Sequence, residues 1–445
     1  MTEDTTWASL YIGDGTPTIT GDSDFLGNTA VGFNALGSLD ANTPNPRDNT
    51  AIGAYAGQFI TTADYCTFVG SEAGRNISTQ SYNTAVGQRA GAGNAGTGNT
   101  YLGHFAGNYS STAKDNQVMI GQSAGNDNWA DDCVGIGVAA MSDGNHYRST
   151  AIGYDALGRY STNSAQYNLC LGTYADSNYS RGTAIGYAAY VAGDYSVSVG
   201  MQAGASAING SGYNVFMGYR AGYDMDGGDY CTFIGHQAGY AGGSGSSNNG
   251  VGAFCLDALT SGQYNTCMGS SAGSGVTTGS QNTFIGYNAA ISLTTGTNNM
   301  VLGYSAVPSS GVVNNEITLG NNSVTSLRCN VQTISSLSDE RDKTAIEELS
   351  YGLNFINDMR PVQFTWNRRD GTFGTKKDLG FIAQELMDVE IEHSSATRTR
   401  LVNSENPERL EADYVRTYPI LVKAVQELSA KVDSLEARIA TLEGN

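Results

Sequence analysis

A serine and a lysine lie five residues apart in the stretch ISSLSDERDKT, residues 334–344. A serine hydroxyl becomes a nucleophile when a neighbouring base accepts its proton, and a neutral lysine amine is such a base. Ser338 and Lys343 are therefore candidates for a Ser–Lys dyad that cuts the chain at this place. The spacing alone also fits a charged helix start, with Ser338 as N-cap and Asp339 and Glu340 at the helix dipole.

The composition changes at Ser338, which indicates a domain boundary. Residues 1–337 hold 53 of the 58 glycines, with 9 Lys and Arg and 22 Asp and Glu. Residues 338–445 hold 5 glycines, with 14 Lys and Arg and 20 Asp and Glu. Both parts are acidic, and the net charge of the chain is −19. We therefore expect neither nucleic acid nor an anionic lipid surface as a partner.

Other classes of protein are also disfavoured. No apolar run reaches the roughly 18 residues of a membrane span, and the acidic N-terminus does not read as a signal peptide. The seven cysteines form no C-x-x-C pair, and the four histidines are scattered, so we expect no metal and no cofactor. We therefore expect the cysteines to be reduced and the protein to be assembled in a cytoplasm.

The glycine-rich part is a repeat with a mean period of about 17 residues, typical of a stacked solenoid. Segments such as NTAVGQRAG and NTFIGYNAA share one frame, and eighteen units have their central glycine between Gly32 and Gly320. The residue before this glycine is Val, Ile, Leu or Met in every unit, and alanine follows three places later in sixteen units. We predict that the apolar residue before the glycine forms an inward-facing ladder, with Asn and Thr in ladders between strands.

A single coil of this length encloses little core, so we predict that several chains associate. The repeat resembles the heads of trimeric autotransporter adhesins and, more closely, the shafts of phage tail fibres. The resemblance implies a mostly β chain with a trimeric β-solenoid shaft over residues 28–330. Residues 1–27 are then a virion-attachment segment that binds other tail proteins.

The last 108 residues have the pattern of a small α/β or α+β module. Residues 344–359 predict a helix, and residues 361–366 alternate like a strand. A heptad pattern over residues 418–443 predicts a coiled coil, with its seam at Leu421, Val425, Leu428, Val432, Leu435, Ile439 and Leu442. Val and Ile at the a positions of a heptad, with Leu at the d positions, favour a coiled coil of two helices. This preference conflicts with a trimer.

The module resembles the intramolecular chaperone domain of endosialidases and other phage tail spikes and fibres. The resemblance is carried by S-D-x-R-x-K (338–343), P-V-x-F-x-W (361–366), D-L-G-F-I-A-Q-E (378–385), Tyr418-Pro419 and the terminal heptads. It implies that three domains align the chains, direct folding of the shaft and then cut themselves off after a linker at 331–337.

The resemblance implies that Ser338 attacks the carbonyl of Leu337, with Lys343 as the base. This would be a single-turnover autocleavage with no external substrate. Burial of Lys343 is expected to favour its neutral form. Four further residues match the family motif and are expected to position the dyad or an interchain contact: Asp339, Arg341, Gln384 and Glu385.

The function that we predict is host adhesion by a homotrimeric tail fibre in the virion, with a cell-surface glycan or protein as ligand. Tyrosine offers broad contact area with a polar tip. The candidate contact residues in the loops are Tyr109, Tyr147, Tyr160, Tyr179, Tyr213, Tyr223 and Tyr240, for which packing between coils is the competing interpretation. Two alternative functions stay open: a polysaccharide-degrading tail spike with an intersubunit active site, and a structural virion decoration that retains its chaperone domain uncut.

Overall fold

The computed structural model describes residues 10–14, 27–39, 46–93, 96–108, 114–128, 130–158, 166–191, 193–206, 212–328, 330, 338–367, 377–393, 400–404, 407–408 and 410–444. The chain divides into two compact units, Met1–Leu319 and Gly320–Asn445. The first is built from short parallel strands, and the second contains the longer helices. The chain is mostly β, as predicted.

The first unit is a β-solenoid in which each coil adds one three-residue strand to a single parallel sheet, and the described residues form nineteen such strands. The strands are β1 (Leu10–Ile12), β2 (Thr29–Val31), β3 (Thr50–Ile52), β4 (Thr67–Val69), β5 (Thr84–Val86), β6 (Thr100–Leu102), β7 (Val118–Ile120), β9 (Val134–Ile136), β11 (Thr150–Ile152), β12 (Leu169–Leu171), β14 (Thr183–Ile185), β16 (Val197–Val199), β17 (Val215–Met217), β18 (Thr232–Ile234), β19 (Asn249–Val251), β20 (Thr266–Met268), β21 (Thr283–Ile285), β22 (Met300–Leu302) and β23 (Ile317–Leu319). Two short parallel pairs lie outside it, β8 (Asp127–Asn128) with β10 (Asp143–Gly144) and β13 (Asp176–Ser177) with β15 (Tyr190–Val191).

The repeat frame read from the sequence is the register of the sheet. Equivalent residues pair directly between successive coils, as in Thr283 with Met300 and Ile285 with Leu302. Each of the eighteen central glycines follows the last residue of a strand. The structure adds one coil that the sequence frame missed, because β1 pairs in the same register with β2. This coil ends at Gly13 and lies within the segment predicted for virion attachment.

The predicted direction of the apolar ladder is wrong. From β2 to β22 it is the middle residue of each strand of the long sheet that is buried, and the residue before the central glycine is only partly covered or exposed. Phe68, Tyr101, Phe233 and Phe284 are such middle residues and rank among the largest fully buried side chains. Each coil therefore fills its own interior, and the aliphatic residue before the glycine faces outward.

The small and polar positions of the repeat behave as predicted. The alanine three places after the central glycine is buried. Asn precedes the strand in ten of the eighteen coils and is buried there, and neighbouring copies of it form a ladder in which the Asn282 backbone N–H donates to the Asn265 side-chain oxygen at 3.1 Å. The side-chain amide of Asn282 donates to the Gly296 carbonyl at 2.9 Å and thereby closes the coil. The six described cysteines are buried and free, and burial raises the pKa of the Cys66 thiol to about 11.

The central glycine is required by the contact between coils. At Gly235 the backbone has a φ of +141°, and an added Cβ would lie 2.4 Å from the carbonyl oxygen of Gly252 in the next coil. Any side chain here would both strain the backbone and push the coils apart.

The described part of the second unit combines three helices with two antiparallel strand pairs. The helices are α1 (Leu353–Asp358), α2 (Ala383–His393) and α3 (Thr417–Glu443), and short 3₁₀ helices cover Glu340–Asp342 and Tyr414–Arg416. Strand β24 (Val362–Thr365) pairs with β25 (Lys377–Gly380), and β26 (Val402–Asn403) pairs with β27 (Glu411–Ala412). The helix predicted over 344–359 is much shorter, because residues before Gly352 are not helical.

The hydrophobic core of this unit lies against the start of α3, which contributes Ile420. The other buried residues of this core are Phe355, Met359, Leu386, Val389, Leu401 and Val402. The Glu427 carboxylate of α3 accepts a hydrogen bond from the Leu353 N–H at 2.7 Å and so caps α1. All seven heptad residues from Leu421 to Leu442 are exposed. No helix among the described residues is long and apolar enough to cross a membrane.

Candidate functional site

The turn at residues 338–343 is organised by Asp339. Its side chain accepts a hydrogen bond from the Arg341 backbone N–H at 2.9 Å, which makes Asp339 the cap of the 3₁₀ helix Glu340–Asp342. Lys343 ends this helix and donates its backbone N–H to the Glu340 carbonyl. The alternative in which Ser338 is the N-cap is therefore wrong. Ser338 precedes the cap, and its hydroxyl makes a different contact.

The one-turn helix brings the lysine side chain back over the serine. The Nζ atom of Lys343 lies 2.7 Å from the Oγ atom of Ser338 and 3.2 Å from the Ser338 carbonyl oxygen. These distances are within hydrogen-bond reach, the geometry that proton transfer from a nucleophile to its base requires. Both side chains are exposed, so the residues that the structure describes do not supply the burial that we expected around Lys343. Leu337 lies outside the described residues.

Asp339 and Arg341 form a pair that stiffens the same turn. The Arg341 guanidinium donates from Nε to Oδ1 of Asp339 at 3.0 Å and from Nη2 to Oδ2 at 2.6 Å. These bonds lower the pKa of the Asp339 carboxyl and raise the pKa of Arg341. Because the carboxylate stays ionised, it holds the cap and the guanidinium at once.

Gln384 and Glu385 belong to a different place in the domain. Both lie in the first turn of α2, and Gln384 is exposed. The Glu385 carboxylate accepts two hydrogen bonds from Arg360, one of them from Nε at 3.0 Å, and this pairing lowers the pKa of Glu385. Arg360 was not singled out in the sequence, since nothing local to it indicates a partner 25 residues away. Within the described part of the domain, Glu385 pairs with Arg360 and not with the turn at 338–343.

The turn therefore places the Ser338 hydroxyl beside the Lys343 amine, on a small module whose heptad residues are exposed. Residues 338–394 match the protein family described as chaperone of endosialidase. The match begins at Ser338 and includes the whole turn, β24, β25 and α2. A comparison with curated proteins gives no significant match. A β-solenoid followed by this chaperone domain is the organisation of a tail fibre with a C-terminal chaperone domain.

The candidate tyrosines of the shaft occupy several environments. Tyr109 and Tyr160 lie outside the described residues. Tyr147 is half-buried beneath Lys114, and Tyr179 is also partly covered. Tyr223 stacks on Tyr240 with ring centroids 5.3 Å apart.

Tyr213 differs from these because it is exposed and belongs to a longer stack. Its ring lies between Tyr195 at 5.2 Å and Tyr230 at 5.1 Å, with interplanar angles of 4° and 9°. Arg181 extends the stack, because its guanidinium lies 4.9 Å from the Tyr195 ring and 5.5 Å from Tyr167. The phenol edges of successive coils thus form a row on the surface.

Proposed function

We propose that this protein is a homotrimeric virion tail fibre whose chaperone domain assembles the shaft and then cuts the bond between Leu337 and Ser338. The observation that carries the proposal is the contact of 2.7 Å between Lys343 Nζ and Ser338 Oγ. It is supported by the family match that starts at Ser338. The fibre is assembled in the host cytoplasm and attaches to other tail proteins through its N-terminus.

The proposed reaction is an acyl transfer followed by hydrolysis. Lys343, as the neutral amine, accepts the proton of Ser338 Oγ while this oxygen attacks the Leu337 carbonyl carbon. The C–N bond breaks, the Ser338 nitrogen takes up the proton, and an ester joins Leu337 to the Ser338 side chain. Water then cleaves the ester, which leaves a carboxylate on Leu337 and regenerates the hydroxyl. Asp339 and Arg341 act as positioning residues, because they fix the turn that brings the lysine to the serine.

The chaperone role follows from the repetitive shaft. Each coil presents the same strand register to its neighbours, so coils of different chains can pair in many wrong alignments. A folded domain that gathers the chains at one end raises their effective concentration and sets one alignment. Lys343 is exposed in the single chain, and its neutral form is favoured only where water is excluded. We propose that assembly of the chains buries Lys343, so that cleavage follows assembly.

The mass of freshly purified protein tests this function. Under native conditions we expect three copies of the shaft, and under denaturing conditions two fragments that meet at Leu337 and Ser338. A full-length chain of 46.6 kDa in both freshly made and aged samples would contradict cleavage and favour a fibre that retains its chaperone domain. A monomeric shaft would contradict the homotrimer.

For host adhesion, the stack through Tyr213 supports a surface that binds glycans or proteins. Its hydroxyl edges repeat once per coil, and Arg181 places a positive charge within the row, so it offers both hydrogen bonds and apolar contact to an extended ligand. We expect a Tyr195, Tyr213 and Tyr230 to Ser triple variant to lose binding to immobilised bacterial capsule and lipopolysaccharide preparations.

The matched control for this prediction changes Tyr223 and Tyr240 to Ser, since these rings also stack but are less exposed. Retained binding by the Tyr213 variant, with its oligomeric state unchanged, would contradict adhesion at this row.

A further inference from the structure

One face of the solenoid is free of charge across the eighteen coils from Gly32 to Gly320. In each of the eighteen predicted coils, we define this face by three positions. They are the first residue of the strand, the last residue of the strand and the residue after the central glycine. None of these fifty-four residues is Asp, Glu, Lys or Arg. At the frequency of charged residues in 1–337, about five would be expected. We call this surface the outer strand face.

Within the outer strand face, the last residues of the strands form an aliphatic column at a position where solvent exposure would favour polar residues. The last residue of each strand is Val, Ile, Leu or Met throughout, although the buried middle residue already fills the coil. Sheets with one face in water alternate apolar and polar residues. Stacked like charges would repel between strands, but that explains only the missing charge, since Thr, Asn or Gln would satisfy it. The aliphatic column therefore indicates a surface that is covered.

The size of the face matches a protein interface. Strands spaced about 4.8 Å apart over seventeen steps give a length of about 80 Å, and a three-residue strand is about 10 Å wide. The resulting area is on the order of 800 Å². This equals the roughly 800 Å² per partner of a standard interface.

We propose that the outer strand face is where copies of this chain pack against one another along the shaft. Identical copies carry the same coils at the same spacing. Parallel chains can therefore pack coil against coil without the help of charge pairs. The rest of the acidic chain supplies the charge that keeps the assembled fibre soluble. The inference rests on the proposed homotrimer and adds the surface that holds it together.

Two isoleucines of one coil give a matched test. Ile285 ends β21 on the outer strand face and is 43% exposed, whereas Ile291 lies six residues later in the turn and is 44% exposed. In the full chain, Ile285→Glu is expected to yield a shaft of single copies by native mass, because the trimer would bury three carboxylates, one from each copy. Ile291→Glu is expected to remain trimeric.

A cysteine pair keeps the test decisive if the charged variant does not fold. In a Cys329→Ser background, Ile285→Cys is expected to cross-link between copies with a short bis-maleimide. Ile291→Cys is expected to give no cross-linked species. The other six cysteines are buried and should not react.

The outcomes separate this inference from the function on which it rests. A trimeric Ile285→Glu shaft, or equal cross-linking at both positions, would overturn the outer strand face as the interface while the homotrimer stands. A monomeric wild-type shaft would overturn both.

Discussion

Replacing Ser338 with alanine is expected to leave the chain at its full 46.6 kDa, while the wild type separates into a shaft and a chaperone domain. The variant removes the Ser338 Oγ atom, which is the proposed nucleophile and lies beside Lys343 Nζ. Without it no acyl transfer can begin. The measurement is the intact mass of freshly purified protein under denaturing conditions. Cleavage of Ser338→Ala at the wild-type rate would show that the hydroxyl is not the nucleophile.

Two changes at Lys343 distinguish a base from a structural hydrogen bond. Lys343→Ala removes both roles, and the loss of a general base slows such reactions by about 10²–10⁴-fold. Lys343→Arg keeps a positive charge and donors that can reach Ser338, but arginine stays protonated and cannot accept the serine proton. We therefore expect Lys343→Arg to be as slow as Lys343→Ala. Wild-type cleavage by Lys343→Arg would mean that the side chain only holds the turn.

The periodic part of the fold was predictable because each coil repeats the same contacts. A glycine that no Cβ could replace, an alanine against the next coil and an Asn that closes the turn recur in one frame, and that frame is the register of the sheet. The direction of the aliphatic column was not predictable from composition. A strand of three residues has only one inward side chain, and Ala51 in one coil serves that position as well as Phe68 in the next. Hydrophobicity alone therefore does not mark the inside.

The candidate site was predictable as a pair of residues but not as a geometry. A spacing of five does not bring two side chains together on a regular helix. Here one turn of 3₁₀ helix, capped by Asp339, carries the lysine back to Ser338. The partner of Glu385 was not predictable either, because Arg360 reaches it only through the packing of the domain. Residues 344–351 show apolar spacing without forming a helix; they are mostly exposed and so lack the packing from which most helices in proteins gain their stability.

The heptad of α3 carries the other large expected effect. Val432 lies at an a position and is exposed in the single chain. In an assembled coiled coil it would be buried once per copy, and an Asp there would bury several unpaired carboxylates, which costs several kcal/mol. We expect Val432→Asp to prevent association of the chaperone domains. The shaft would then lack a common register and appear as aggregated or monomeric, uncut protein by native mass.

Ser434→Asp is the matched control, because it adds the same charge two residues later on the same exposed helix, away from the seam. It is expected to assemble and cut like the wild type. If Val432→Asp also assembles and cuts normally, the heptad is not the contact that aligns the chains. Native mass of the wild type resolves the conflict between the a and d residues, which favour two strands, and the trimer. Three copies would mean that contacts elsewhere in the chain override the two-strand preference of the three heptads.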